Sequence, residues 1–172
     1  MNSILIFAVC LLLIVIIAKV VNSVTGTKAH YIEDFVPESG ESVRWRDDKA
    51  DSYLVPVFGR ALVNSYARMK RFTVILTNRR IIVGQKALFV SKRMIQFEVA
   101  FDAQTAKQSP EIFYPRGYLL LQADRSAVDF GTQNDKPCLK LEPVAASRDK
   151  NNVASILIFT DDLESLRAAW PT

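Results

Sequence analysis

The stretch FTVILTNRRIIVGQK, residues 72–86, decides the fold of this chain. Two runs rich in β-branched residues, 72–76 and 81–83, flank the polar connection TNRR. Asn accepts a left-handed backbone and bonds to its own chain, so this connection predicts a tight hairpin. Because neither strand alternates regularly with polar residues, we expect both to lie in a sheet that is covered over much of its area.

The same string resembles the hairpin of bacterial pleckstrin-homology-like (PH-like or GRAM-like) domains, in which an aliphatic strand, TNRR and a second aliphatic strand recur. The resemblance implies a mainly β fold: a bent sheet or partly open barrel of about seven strands with a C-terminal amphipathic helix that closes one end. It implies a binding function but names no ligand, because this fold hosts many functions.

The residues around the hairpin, 42–172, carry the signals of an all-β domain. In residues 94–101, Ile95, Phe97, Val99 and Phe101 alternate with other residues, and this period of two predicts a strand. Residues 61–68 fit either a helical turn or a strand, and 102–116 a loop. Further strands are predicted at residues 43–46, 53–58, 117–122, 127–130, 138–142 and 153–159, with polar connections at 124–126, 131–137 and 143–152.

The chain closes on a predicted helix over residues 161–170. Asp161 and Glu164 have the spacing of a capping box. Leu163, Leu166 and Trp170 fall on one face of this helix. Because so short a helix does not persist alone in water, we expect this apolar face to be buried against the sheet.

An apolar run occupies residues 4–18 and is extended past Lys19 by two valines. As a helix of 18 residues it would rise about 27 Å, close to the thickness of the hydrocarbon core of a bilayer. A cleaved signal peptide is the alternative: Val21 and Ser23 make a passable cleavage site, but no basic residue precedes the run. A buried core helix would need a polar face. We therefore predict a retained transmembrane anchor over residues 1–24.

The flanks of the anchor predict its orientation. Lys19 and Lys28 follow the run, so the positive-inside rule places the C-terminal domain in the cytoplasm of a single-pass protein of the inner (plasma) membrane. Residues 25–41 are predicted to be a polar linker with an acidic stretch, and residues 42–172 a PH-like domain. The acidic residues of the linker are Glu33, Asp34, Glu38 and Glu41.

Basic residues are concentrated around the hairpin, because residues 52–97 contain nine Lys and Arg and no acid. Such asymmetry indicates an anionic partner. If the hairpin stands upright, the clusters before and after it lie at the same end and form one positive face. Alternatively, the cations are scattered over the domain or paired with the acids of residues 33–41 and beyond. The predicted lipid- or partner-binding residues are Arg68, Lys70, Arg71, Arg79, Arg80, Lys86, Lys92 and Arg93.

For Arg79 and Arg80 there is a second hypothesis: they bond local carbonyls and cap the hairpin turn.

Catalysis has little support in the sequence. There is no Cys–His pair, no Gly-rich phosphate loop and no spacing of metal ligands, and His30 is the one histidine of the chain. We therefore predict a non-catalytic docking module without a cofactor. Its predicted partners are the bilayer, anionic lipid headgroups or another membrane protein, whereas nucleic acid ranks below these. The alternative is an exported or periplasm-facing anchored β-domain that acts as an assembly accessory.

Overall fold

Seven strands form a closed barrel in a computed structural model that describes residues 7, 9, 11–13, 15–16, 30–57, 71–86, 91–102, 105 and 119–171. Each strand pairs with the next in sequence, and β1 also pairs with β7. All pairs are antiparallel except the parallel pair of β4 and β5. The mainly β architecture and the strand number match the prediction. The strands are β1 (Val43–Pro56), β2 (Phe72–Thr77), β3 (Arg80–Lys86), β4 (Arg93–Ala100), β5 (Leu119–Gln133), β6 (Lys136–Pro143) and β7 (Val153–Phe159).

The predicted hairpin is confirmed as β2 and β3. All six residues of β2 are buried, as expected for strands covered on both faces. Its inward side chains join the main core of the barrel, while Ile75 faces outward into a second apolar cluster. The outer cluster also contains Ile82, Ile95 and Ile32, with Phe35 packed against it.

The outer face of the hairpin is covered by residues 31–41, which we call the strap. Tyr31 forms a β-bridge with Met94, and a 3-10 turn, Ile32–Asp34, seats the Ile32 side chain on the sheet. A Cβ atom on Gly84 would lie 2.5 Å from Ile32 Cδ1, so any other residue here would force the Ile32 side chain to shift. The prediction assigned this segment to a linker. In the structure the folded unit includes it, because its apolar residues complete the outer cluster.

The region predicted as two strands, 43–46 and 53–58, forms the single strand β1. Its first half pairs with β2 and its second half with β7, with an irregularity between Asp47 and Ala50. The polar residues that interrupt the apolar pattern are bonded at this bend. Asp48 accepts a hydrogen bond from Thr73 Oγ1 at 2.9 Å, and Asp47 accepts one from Thr160 Oγ1 at 2.6 Å.

Strand β5 likewise continues through a predicted break. Residues 124–126 form an irregularity within it, after Ala123. The connection predicted at 131–137 is a tight turn in which Asn134 and Asp135 have φ angles of 51° and 59°. The connection predicted at 143–152 contains a helix, α1 (Ala145–Asn151), which ends at Asn152 in a left-handed conformation.

The C-terminal helix is confirmed as α2 (Leu163–Ala169). Leu163 and Leu166 are buried in the main core, as predicted, whereas Trp170 is only partly buried against it. The predicted capping box is not formed, because Asp162 takes the N-cap position without a side-chain cap bond. The Asp162 carboxylate instead accepts a hydrogen bond from Trp45 Nε1 at 3.3 Å.

The described residues of the N-terminal apolar run are helical and exposed. Of the part of the chain that the structure describes, no helix has the length and apolar composition needed to cross a membrane. Most of the predicted anchor lies outside the described residues. So do segment 61–68 and most of the predicted loop 102–116.

Candidate functional site

The TNRR turn is organised by the Thr77 side chain. Its hydroxyl oxygen accepts hydrogen bonds from the backbone N–H groups of Arg79 at 3.1 Å and Arg80 at 2.9 Å. Asn78 does not bond to its own turn as predicted: its side chain accepts from Ser42 N–H at 2.8 Å and donates to the Gly40 carbonyl at 3.0 Å. The turn therefore binds the end of the strap through hydrogen bonds, and this accounts for the polar side chains of the turn.

Arg80 is buried at this turn and is surrounded by carboxylates. Its Nε and Nη2 atoms bond to the two oxygens of Glu41 at 2.9 and 2.8 Å, a bidentate pair. Its Nη1 atom lies 3.3 Å from Glu98 Oε2, its Nη2 atom lies 3.2 Å from Glu38 Oε1, and the guanidinium stands over the Phe35 ring. Three carboxylates of the same chain thus surround the Arg80 guanidinium.

Charge pairing at Arg80 outweighs the cost of burial. Burial acts to lower the pKa of Arg80, but the hydrogen bonds that it donates to Glu41 and the charges of Glu98, Glu41 and Glu38 raise that pKa above its usual value. Burial likewise acts to raise the pKa of Glu41, and hydrogen bonds from Arg80 and Thr77 hold that pKa below its usual value. Both groups therefore stay charged at neutral pH.

Arg79 is more exposed and more loosely held. Its guanidinium lies 3.5 Å from Glu38 and 3.6 Å from Asp102. We call the two arginines of the turn and their four carboxylates the turn cluster; its residues are Arg79, Arg80, Glu38, Glu41, Glu98 and Asp102. The arginines thus bond to acidic side chains rather than capping the hairpin through local carbonyls. With more carboxylates than cations, the turn cluster is poorly suited to attract an external anion.

The other predicted cations that the structure describes lie at the opposite end of the hairpin. In the strand register Lys86 of β3 lies opposite Arg93 of β4, and Arg71 precedes Phe72, which lies opposite Gln85. Since β3 has seven residues, this end lies roughly 20 Å from the turn cluster. We call Arg71, Lys86, Lys92 and Arg93 the basic end. Arg71, before the hairpin, thus lies at the same end as Lys86, Lys92 and Arg93, whereas Arg68 and Lys70 lie outside the described residues.

Two residues of the basic end are paired with the strap. Lys92 Nζ lies 2.6 and 2.8 Å from the two oxygens of Asp34. Glu33 accepts hydrogen bonds from the Arg93 backbone N–H at 2.8 Å and from its Nη1 at 3.1 Å. The hydrogen bond that Lys92 donates to Asp34 raises the pKa of Lys92. Lys92 and Arg93 thus follow the alternative in which the cations pair with the acids of residues 33–41, and so do the arginines of the turn cluster.

Arg71 and Lys86 complete the basic end. The Arg71 backbone has a φ of 72° and donates its N–H to Asp51 Oδ1 at 3.1 Å. Lys86 is exposed and forms no ion pair with any described residue. These two cations are the part of the predicted set that is most available to an external anion.

On sequence grounds, pairing of the cations with the strap carboxylates is one of the alternatives to a single positive face, and the charge pattern carries the signal for it. An acid-free segment of nine cations and a short segment with four acids are complementary in charge. Charge alone did not determine which acid meets which cation. The β-bridge at Tyr31 and the burial of Ile32 determine that register.

An open groove of about 390 Å³ lies on the other side of the barrel, along β1 and β7. Tyr53, Leu54, Val55, Leu157 and Phe159 form its apolar wall, and the Tyr53 and Phe159 rings meet edge to face at 5.3 Å. The β5–β6 turn supplies a polar rim. Its volume is within the range of small-molecule sites.

The described residues offer little for catalysis or metal binding. Among them, no group of three or more His, Cys, Asp or Glu is arranged to hold a metal ion. The Cys138 thiol is buried in the barrel wall, and burial raises its pKa, which disfavours the reactive thiolate.

Comparison with known proteins adds no identification: no protein-family model, curated protein or solved structure matches this chain.

Proposed function

We propose that this chain is a membrane-anchored, non-catalytic docking module of the PH-like type, whose basic end contacts anionic lipid headgroups. The type rests on the sequence of the TNRR hairpin, and the anchor rests on the apolar run of residues 4–21. A partner membrane protein with an acidic surface is the alternative occupant of the same end.

The observation that carries the proposal is where the chain enters the barrel. The His30 carbonyl accepts a hydrogen bond from Ile95 N–H at 2.8 Å, so the chain enters beside the first residues of β4. Lys92 and Arg93 lie at this same place. Eight residues, 22–29, separate the apolar run from His30 and span at most about 28 Å when extended. A tether of this length holds the basic end close to the bilayer that the anchor would enter.

Electrostatics sets the strength of the contact. Each cation near an anionic leaflet contributes about 1 kcal/mol. The four cations of the basic end face three nearby carboxylates, Glu33, Asp34 and Asp51, so the described residues alone attract the membrane weakly. Weak attraction suffices for a tethered domain, because its effective concentration at the surface is millimolar or higher.

The test uses the full chain in nanodiscs of neutral phosphatidylcholine or of anionic phosphatidylglycerol. Energy transfer from Trp45 and Trp170 to dansyl-labelled headgroups reports how close the barrel lies to the bilayer. We expect stronger transfer in the anionic discs and a loss of this excess as salt shortens the screening length to about 8 Å. The double variant Arg71→Glu/Lys86→Glu should remove the excess.

The matched control is Arg44→Glu/Arg125→Glu, which makes the same change of charge at exposed positions away from the basic end. This control should retain most of the anionic excess. Equal transfer in neutral and anionic discs would contradict the lipid proposal and leave the partner-protein alternative.

Topology is tested separately with a reporter fused after Thr172. A reporter that is active in the cytoplasm supports the proposed orientation. A reporter that is active only on the outer side would favour the exported assembly accessory instead.

A further inference from the structure

The two ends of the strap are held in different ways. At the turn cluster, the side chains of Arg80 and Glu41 are 6% and 0% exposed. At the basic end, Lys92 and Asp34 are 44% and 56% exposed, and Arg93 and Glu33 are 35% and 31% exposed. Ion pairs as exposed as these contribute little to stability, because water and salt screen them. The strap is therefore fixed at the turn cluster, whereas its carboxylates at the basic end can be exchanged.

The contacts of these two carboxylates resemble those of a bound oxyanion. Glu33 accepts from a backbone N–H and from a guanidinium, and both oxygens of Asp34 lie against one ammonium group. Donors of the same three kinds bind phosphate oxygens. Neighbouring donors on Lys92 and Arg93 thus already hold two anionic groups, both supplied by the chain.

We propose that the carboxylates of Glu33 and Asp34 bind Lys92 and Arg93 at the positions that lipid phosphates would take. At an anionic bilayer the phosphates displace these carboxylates. The inference rests on the proposed function, since it concerns the same basic end. The carboxylates rotate away from the cations, while Ile32 keeps the strap backbone seated on the sheet. The strap carboxylates thus weaken docking on anionic membranes, because the lipid phosphates must first displace them.

The charges of the basic end give the size of the effect. Each unit of charge facing an anionic leaflet changes the ratio of docked to undocked barrel about fivefold. Removing the charges of Glu33 and Asp34 should therefore raise this ratio about 25- to 30-fold.

The test compares the full chain with Glu33→Gln/Asp34→Asn in the same nanodiscs and with the same energy-transfer measurement. The Gln side chain still offers an oxygen to the Arg93 N–H, so the strap keeps its seat. We expect docking on phosphatidylglycerol to increase about 25- to 30-fold and docking on phosphatidylcholine to stay unchanged. Asp34→Asn alone, which leaves the Glu33 bonds intact, should give about fivefold.

The control is Asp161→Asn/Glu164→Gln, which likewise removes two negative charges, at exposed positions just before α2 and in its first turn. If both double variants increase docking equally, total charge is responsible and the inference is overturned, whereas the proposed function stands as long as Arg71→Glu/Lys86→Glu abolishes docking. If no form of the chain responds to anionic lipid, the inference and the lipid function both fail.

Discussion

Replacing Arg80 by Met should destabilise the protein far more than replacing its neighbour Arg79. Arg80 compensates Glu41 and Glu98, whose side chains are 0% and 4% exposed. Removing one partner of such a buried network leaves charges without compensation and costs about 3–5 kcal/mol. Arg79 is partly exposed and lies 3.5 Å from Glu38 and 3.6 Å from Asp102, so its replacement should lower the free energy of unfolding by about 0–1 kcal/mol.

The assay is urea unfolding of the full chain in mild detergent, followed by the fluorescence of Trp45 and Trp170. With a total stability of about 5–15 kcal/mol, Arg80→Met should shift the midpoint clearly, while Arg79→Met serves as the matched control. Adding Glu41→Gln and Glu98→Gln to Arg80→Met should recover part of the loss, since the two buried carboxylates that bond to Arg80 are then neutral amides.

The pH dependence gives a second check on the same variant. Without Arg80, we expect burial to raise the folded-state pKa of Glu41 above its unfolded value, so the folded state binds more protons than the unfolded state. The destabilisation should therefore be greatest near pH 7 and shrink as pH falls towards 4. Equal losses for Arg79→Met and Arg80→Met, or a loss for Arg80→Met that does not depend on pH, would refute the reasoning.

Three further predictions concern packing and protonation. Gly84→Val should lower the unfolding midpoint and unseat the strap, detected as faster amide exchange at Ile95, because any Cβ would clash with Ile32; unchanged exchange would contradict the close approach. Trp170→Ala should cost about 2 kcal/mol in urea unfolding, less than for a fully buried ring, because Trp170 is only partly buried; no loss would mean that its ring contacts contribute nothing. In the native chain the pKa of Glu41 is lowered, so Glu41 stabilises the fold above its ordinary pKa of 4.5, and this stability is lost as pH falls through the pKa of the folded state. Glu41→Gln should therefore flatten the stability–pH curve below pH 4.5; an unchanged curve would exclude this role.

The sequence predicted those elements whose pattern is set locally. The hairpin, β4 and β7 carry continuous or alternating apolar residues, and their limits lie within a residue or two of the prediction, except that β3 continues three residues past its predicted end at Val83. Strand β1 was divided because its polar residues look like a turn, although Asp47 is bonded to Thr160, just after β7, and Asp48 to Thr73 in β2. Tertiary partners of this kind cannot be read from a local window.

The candidate site was predictable in composition but not in arrangement. The sequence indicated that Arg71, Lys86, Lys92 and Arg93 are basic and lie near one end of a hairpin. It did not indicate that Arg80 is buried, since a TNRR turn would ordinarily face solvent. The burial follows from the strap, which crosses the hairpin only because Ile32 and the strap carboxylates match positions far away in the sequence.

The double pairing of β1 has a consequence for the order in which the chain can fold. Strands β2, β3 and β4 follow closely in sequence, so they can assemble with the strap and the first half of β1 while later residues are still being synthesised. The second half of β1 must wait for β7, because Asp51 meets Phe159 about a hundred residues later. Closure over so long a loop is slow. The nascent chain therefore carries a half-built, open-edged sheet until its last strand emerges from the ribosome, and this interval is when it is most exposed to aggregation.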